Sequence, residues 1–266
     1  MKITLLGTGH ALVTKCYNTC FVLSEGERHF LVDGGGGSAI LGQLEKARIP
    51  WQNIHEMFLT HKHIDHLLGM VWMVRLFCDH MNHGGYEGEA VVYGHKEALG
   101  MLRDICEMLL QKKETRFLNQ RLHLVPVADG EVRTVLGRPT TFFDIGSTKA
   151  KQFGFSMELK DGRTLTCCGD EPCSARGKAF ARGAAWLLHE AFCLASQAGR
   201  YHPYEKHHST AQDAARLAQE LGVENLLLYH TEDDNIANRK ELYTKEAQSC
   251  FKGRVYVPDD LESYEL

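Results

Sequence analysis

The chain carries no surplus of positive charge. Its 30 Lys and Arg are set against 34 Asp and Glu, for a formal net charge of -4 and a pI near 6.4. No global field therefore draws in a phosphate backbone, and a nucleic-acid substrate would have to be gripped by a local patch. No apolar run approaches the length of a membrane-crossing helix. No Met-basic-apolar leader precedes Ile3-Thr4-Leu5-Leu6, no stretch rich in Pro, Ser or charge reads as a linker, and no repeat or low-complexity segment stands out. Nine Cys without such a leader argue for a reducing, cytoplasmic setting and against a disulfide framework. With 44% hydrophobic and 24% charged residues in 266, the chain can bury a full core, and one domain spanning residues 1-266 is expected.

What the chain does have is concentrated in Thr60-His61-Lys62-His63-Ile64-Asp65-His66. Imidazole nitrogen and carboxylate oxygen hold zinc at neutral pH and, by ligand type, also manganese or iron. Shuffling at this composition would produce a His-x-His-x-Asp-His string in roughly two chains per thousand. The run His55 to Thr60 predicts a short buried strand, and Leu67 to Val74 the start of a buried helix, so the histidines occupy a strand-to-helix turn. In the extended part His61 and His63 share a face. As the backbone curls, Asp65 and His66 swing toward a second position beside the first.

Strands are predicted over Lys2 to Leu6, Thr19 to Leu23, Arg28 to Val32, Ala90 to Gly94, Leu122 to Pro126, Thr140 to Asp144, Gly154 to Leu159 and Thr164 to Cys168. Helical spacing runs through Ser38 to Arg48 and Lys96 to Gln111, the second closed electrostatically by Lys112-Lys113. Gly34 to Gly37 lack the Lys-Ser/Thr of a nucleotide loop and suggest a close backbone approach beside the metal site. His80 and His83, among Asn and glycines, are expected in a solvent-facing loop. Ser209-Thr210 reads as the cap of a helix over Ala211 to Leu221.

Three further apolar runs end in polar groups: Cys168-Gly169-Asp170, Leu188-His189-Glu190 and Tyr229-His230. Polar ends collected at one edge of a sheet build a site, in which Asp170 can bridge two cations through its two oxygens and His230 can complete the second. Cys167 and Cys168 point to opposite faces of their strand, which disfavours a thiolate zinc site.

Leu6-Gly7-Thr8-Gly9, Val32-Asp33-Gly34-Gly35, the His61 to His66 string, Gly169-Asp170, His189-Glu190-Ala191, His208-Ser209-Thr210 and Tyr229-His230 follow one another in the order of the ribonuclease Z-like branch of the metallo-β-lactamase superfamily, which the chain resembles over nearly its whole length. The resemblance implies an α/β fold of four layers, αββα, a two-zinc phosphodiesterase site, and often a homodimer. It assigns His61, His63 and Asp170 to one ion and Asp65, His66, Asp170 and His230 to the other. His208 becomes the general acid near the leaving oxygen, and Glu190 the residue that orients it. Asp65 can accept the proton of the attacking water, and an imidazole such as His208 can donate one to the departing alkoxide.

Two departures bear on substrate. The family supplies a third histidine to the first ion from the segment that here reads Ile145 to Phe153, with no His, so one or two ions remain open and His10 is a substitute of low rank. Where transfer-RNA-processing members carry a long gripping arm, this chain has only the turn Lys160 to Arg163. The expected activity is a metal-dependent phosphodiesterase acting on a phosphodiester, RNA included, although no arm for transfer RNA is present. The alternatives are hydrolysis of a small ester or cyclic nucleotide at the same ions, and a non-catalytic member that keeps one structural metal.

Overall fold

A computed structural model describes all 266 residues. Fourteen strands form two seven-stranded sheets. The first contains β1 (Lys2–Gly7), β2 (Cys20–Glu25), β3 (Arg28–Val32), β4 (Ile54–Leu59), β5 (Ala90–Gly94) and β6 (Leu122–Pro126). The second contains β7 (Val132–Val135), β8 (Arg138–Asp144), β9 (Phe153–Glu158), β10 (Thr164–Cys167), β11 (Trp186–Glu190), β12 (Asn225–Tyr229) and β13 (Arg254–Tyr256). The C-terminal β14 (Ser263–Glu265) returns to the first sheet and pairs antiparallel with β1. The helices are α1 (Ala39–Lys46), α2 (Ile64–His83), α3 (Lys96–Leu109), α4 (Lys112–Thr115), α5 (Ala175–Ala181), α6 (Ala198–Tyr201), α7 (Ala211–Leu221) and α8 (Arg239–Gln248).

Successive strand residues point to opposite faces, and in this chain both faces are apolar, as expected of strands covered on both sides. Ile3, Leu5, Phe21, Leu23, Phe30, Val32 and Phe58 from the first sheet meet Phe142, Phe155, Met157, Leu165, Leu188 and Leu227 from the second between the sheets. Their neighbours Leu6, Val22, Leu31, Met57 and Leu59 face outward onto Met70, Val74 and Phe77 of α2 and Leu99 and Leu102 of α3. Leu187, Leu226 and Leu228 face outward on the other side onto Ala214, Ala215 and Ala218 of α7 and Tyr243 of α8. Helix, sheet, sheet, helix is the four-layer αββα sandwich anticipated from the sequence.

Several boundaries differ from the sequence reading. The helix α2 runs through His80 and His83 to a left-handed Gly84 at φ 77°, so these histidines sit in its last turn rather than in a loop. His80 lies against Trp51, with ring centroids 4.4 Å apart, and His83 Nδ1 is 2.8 Å from Asp79 O. Both are occupied locally. Lys112 and Lys113 do not end α3, which stops at Leu109; they open α4, whose Glu114 reaches back to the backbone of Gln111 in a capping box. The short edge strands β7, β13 and β14 escaped the sequence reading because few buried residues mark them.

The glycine run does allow a close approach. A Cβ on Gly69 of α2 would lie 1.7 Å from Gly34 O, and one on Gly34 would lie 2.3 Å from Met70 N. Gly34 N donates to His66 O and Gly69 N to Gly35 O, so the loop after β3 is bonded directly to the first turns of α2. That contact fixes where α2 begins.

Candidate metal centre

The candidate residues gather at the carboxyl ends of β3, β4, β10, β11 and β12, the edge at which α/β sheets place their ligands. The strand β4 ends at Leu59, the chain stays extended through His63, and α2 starts at Ile64. Asp65 therefore lies in the first turn of a long helix, where the helix dipole favours a carboxylate. Asp170 follows Gly169, whose φ of 78° is a left-handed turn that a side chain would resist, and a Cβ there would also meet the Gln152 side chain at 2.9 Å.

Every residue assigned to metal from the sequence arrives at one place. His61, His63 and Asp170 form one triad and Asp65, His66 and His230 another. Asp170 Oδ2 stands between them, 3.5 Å from His61 Nε2, 3.6 Å from His66 Nε2 and 3.5 Å from His230 Nε2. Asp65 Oδ2 lies 3.4 Å from His66 Nε2 and 3.5 Å from His230 Nε2. Two donors each about 2.1 Å from a tetrahedral zinc are about 3.4 Å apart. The second set thus stands at zinc spacing already. The first is tighter, with His61 Nε2 and His63 Nδ1 2.8 Å apart. His66 Nε2 and both ring nitrogens of His230 are buried without a hydrogen-bond partner, which an ion accepting the two Nε2 lone pairs would relieve. The donor set fits a pair of cations of the zinc type.

Around this set runs a second layer of contacts. Asp33 Oδ2 lies 2.7 Å from His66 Nδ1 and accepts from Thr60 Oγ1 at 2.7 Å, while Oδ1 accepts from Thr60 N at 2.9 Å. Thr60 Oγ1 in turn lies 2.9 Å from His61 Nδ1. One carboxylate therefore orients a ligand of each ion, directly for His66, whose Nε2 is left without a partner, and through a hydroxyl for His61, whose Nε2 faces His63. Gln152 occupies the segment that lacks a histidine. Its amide nitrogen donates to Asp170 Oδ1, which leaves Oδ2 for the cations. Asp33, Thr60 and Gln152 carried no role in the sequence reading; an acid directly after an apolar strand, as in Val32-Asp33-Gly34, was the available signal for the first.

Burial opposes the charged forms of Asp65 and Asp170. Even so, His66 and His230 beside Asp65, with His61 added around Asp170, hold both carboxyls far below the usual carboxylate range. Burial pushes His61 well below the ordinary imidazole value. Burial also opposes charge on His66, but Asp65 and Asp33 outweigh it and raise that ring well above the ordinary value.

His208 stacks on Phe192, with centroids 4.8 Å apart and planes 9° from parallel, and its ring is 5.2 Å from that of His230. Its Nδ1 is 3.6 Å from Oε2 of the fully buried Glu190, whose Oε1 accepts from Ser209 N at 2.6 Å. Thr210 caps α7 as expected, in a capping box with Asp213. His10 packs on Phe192 at 4.6 Å and on His230 at 6.3 Å, so it joins the cavity wall beside the second donor set rather than completing the first. Burial, followed by His230 and His208, lowers its pKa to about 4. A cavity of about 350 Å³ opens over the donors, lined among others by His10, Leu12, Ile64, Lys149, Lys206 and His208.

Residues 1–249 match the family described as anti-Pycsar protein Apyc1. The chain belongs to that family. It is also 25% identical to the ribonuclease Z of Ligilactobacillus salivarius (strain UCC118), over 97% of this chain and 95% of that one. Among solved structures it is similar to the metallo-β-lactamase-fold protein YhfI from Bacillus subtilis, with a TM-score of 0.79, 20% identity and 100% and 99% of the two chains covered. The short form of human tRNase Z gives a TM-score of 0.72 at 22% identity, with 100% and 99% covered. This Apyc1-family chain thus has the metallo-β-lactamase fold and resembles ribonuclease Z over nearly its whole length.

Proposed function

We propose that the chain is a two-zinc phosphodiesterase whose substrate is a small phosphodiester of cyclic-nucleotide size. The observation that carries the reading is the cavity of about 350 Å³ directly over the two donor sets. Small-molecule sites span about 300–1,000 Å³, so this one is large enough for a single nucleotide. The β9 to β10 connection is a short turn without an arm, and the net charge of -4 offers no backbone-binding field.

His61, His63 and Asp170 would hold one cation and Asp65, His66, Asp170 and His230 the other. Bound there, the cations supply Lewis acidity, polarising the phosphoryl oxygens and lowering the pKa of water toward neutrality. Asp65, kept ionised by His66 and His230, takes the proton of the attacking water. His208 gives a proton to the leaving oxygen from Nε2 while Glu190 faces its Nδ1 and fixes the ring.

The similarity to ribonuclease Z favours RNA as a second reading. Both are tested on protein purified without chelator or His-tag, with bound metal counted by plasma emission spectroscopy. Turnover of an aryl phosphodiester and of 3′,5′-cyclic nucleotides, with no cleavage of precursor transfer RNA and no inhibition by it, is expected. Preferential cleavage of the transfer RNA would reverse the assignment. Two bound ions without hydrolysis of any diester would refute catalysis altogether.

A further inference from the structure

The segment Ile145 to Phe153 offers the cavity a lysine where the resemblance implies a histidine. Lys149 Nζ is 3.5 Å from His208 Nε2, the ring nitrogen turned away from Glu190. Lys206 enters from another part of the wall, its Nζ 5.1 Å from the centroid of the Phe192 ring on which His208 stacks. Neither ammonium has a carboxylate within 4.0 Å, whereas Lys62 and Lys151 close by are paired with Glu97 and Asp144. Lys149 Nζ thus stands within reach of His208 Nε2, and when that nitrogen carries the proton it gives to the leaving oxygen, the two are donors converging with no acceptor between them. An oxygen about 2.8 Å from each, the length of a charge-assisted hydrogen bond, satisfies both at once.

We infer that Lys149 is a catalytic residue that shares the leaving oxygen with His208. This rests on the phosphodiesterase reading and deepens it. As the bond from phosphorus to the leaving oxygen breaks and the bond from the water oxygen forms, the water proton passes to Asp65 and the His208 proton passes to the leaving oxygen. Lys149 keeps its protons and offsets the negative charge that grows on that oxygen, as a preorganised donor does. The segment contributes charge on the substrate side of the centre rather than a ligand on the metal side. Because Lys149 is exposed and bears on no core cluster, its replacement leaves the fold intact.

The test compares wild type, Lys149→Met and Lys149→Arg as metal-loaded enzymes on two diesters. A cyclic nucleotide expels a poorly stabilised alkoxide; bis(p-nitrophenyl) phosphate expels a phenolate that needs little help. Lys149→Met is expected to lower kcat on the cyclic nucleotide by about 30-fold or more and on the aryl diester by less than about 3-fold, with Lys149→Arg recovering most of the loss. Bound metal, measured on the same samples, stays at the wild-type level. Equal losses on both substrates, a rise in KM alone, a fall in bound metal, or unchanged kinetics would each overturn the role of Lys149. Inactive wild type on both diesters would instead bring down the phosphodiesterase reading, and this role with it.

Discussion

Replacing Asp33 with Asn tests whether one buried carboxylate sets both donor groups. Asn has nearly the same volume and tolerates the left-handed backbone that Asp33 adopts at φ 57°, so the change removes charge without straining the chain. The retained oxygen can still accept from Thr60 N. The new NH2 then faces His66 Nδ1–H and Thr60 Oγ1–H, where Oδ2 had stood 2.7 Å from each, and donor meets donor. Loss of such an outer partner costs about 10–100-fold in metal affinity, or about 1.4–2.7 kcal/mol. The second ion depends on His66 directly and should weaken more than the first, which feels Asp33 through Thr60. Zinc affinity is measured by competition with a chromophoric chelator, on protein whose circular dichroism shows the wild-type fold. Thr60→Val, which removes the link to His61 and one of the two donors to Asp33 Oδ2 but keeps the Asp33–His66 contact, should weaken the first ion more than the second. Affinities within about 3-fold of wild type in folded Asp33→Asn would show that the carboxylate holds structure and not the metal ligands.

His208→Ala should lower kcat on a cyclic nucleotide about 100-fold or more with bound metal unchanged, and loss of metal would make His208 a ligand instead. Zinc uptake by metal-free protein should release a proton, because the His66 pKa stands above its ordinary value and its proton must leave before Nε2 can bind. Affinity should accordingly fall as pH drops, and calorimetry in two buffers of different ionisation enthalpy reads the proton; none released at neutral pH would refute the protonated His66. Gly69→Ala sets a helix-propensity gain of about 1 kcal/mol against a collision with the Gly34 carbonyl. Because backbone cannot yield as a flexible side chain can, the clash should win by about 2 kcal/mol, seen as a melting temperature lowered by about 4–8 °C. A melting temperature at or above wild type would show that the loop and helix are not in fixed contact.

Much of this arrangement was readable from residue order. The near-continuous burial of β1 to β3 and of β11 and β12 follows from apolar runs flanked by glycine and polar residues, and His61 to His66 announced its own chemistry. Asp170, Glu190 and His230 were found because each ends an apolar run. What stayed hidden depended on the third dimension. Nothing local tells that Asp33 faces two histidines of a later segment, or that Gln152 reaches Asp170 across a strand pair. His80 and His83 were misplaced because Asn82 and the two glycines read as a breaker. The packing of Met81 into the helix-side core and the cap at Gly84 carry α2 through them.

The division of donors between the two sheets affects how the protein is made. Four donors lie between His61 and His66, on the first sheet; Asp170 and His230 belong to the second. A nascent chain emerges N-terminus first, so for much of its synthesis it exposes the histidine cluster with no partner carboxylate from Asp170 to share ions. The complete centre exists only after residue 230 has left the ribosome and the two sheets have closed on each other. If two ions bind as proposed, their capture would mark the end of folding, and a stalled or truncated chain would carry metal loosely and give it up to competing ligands.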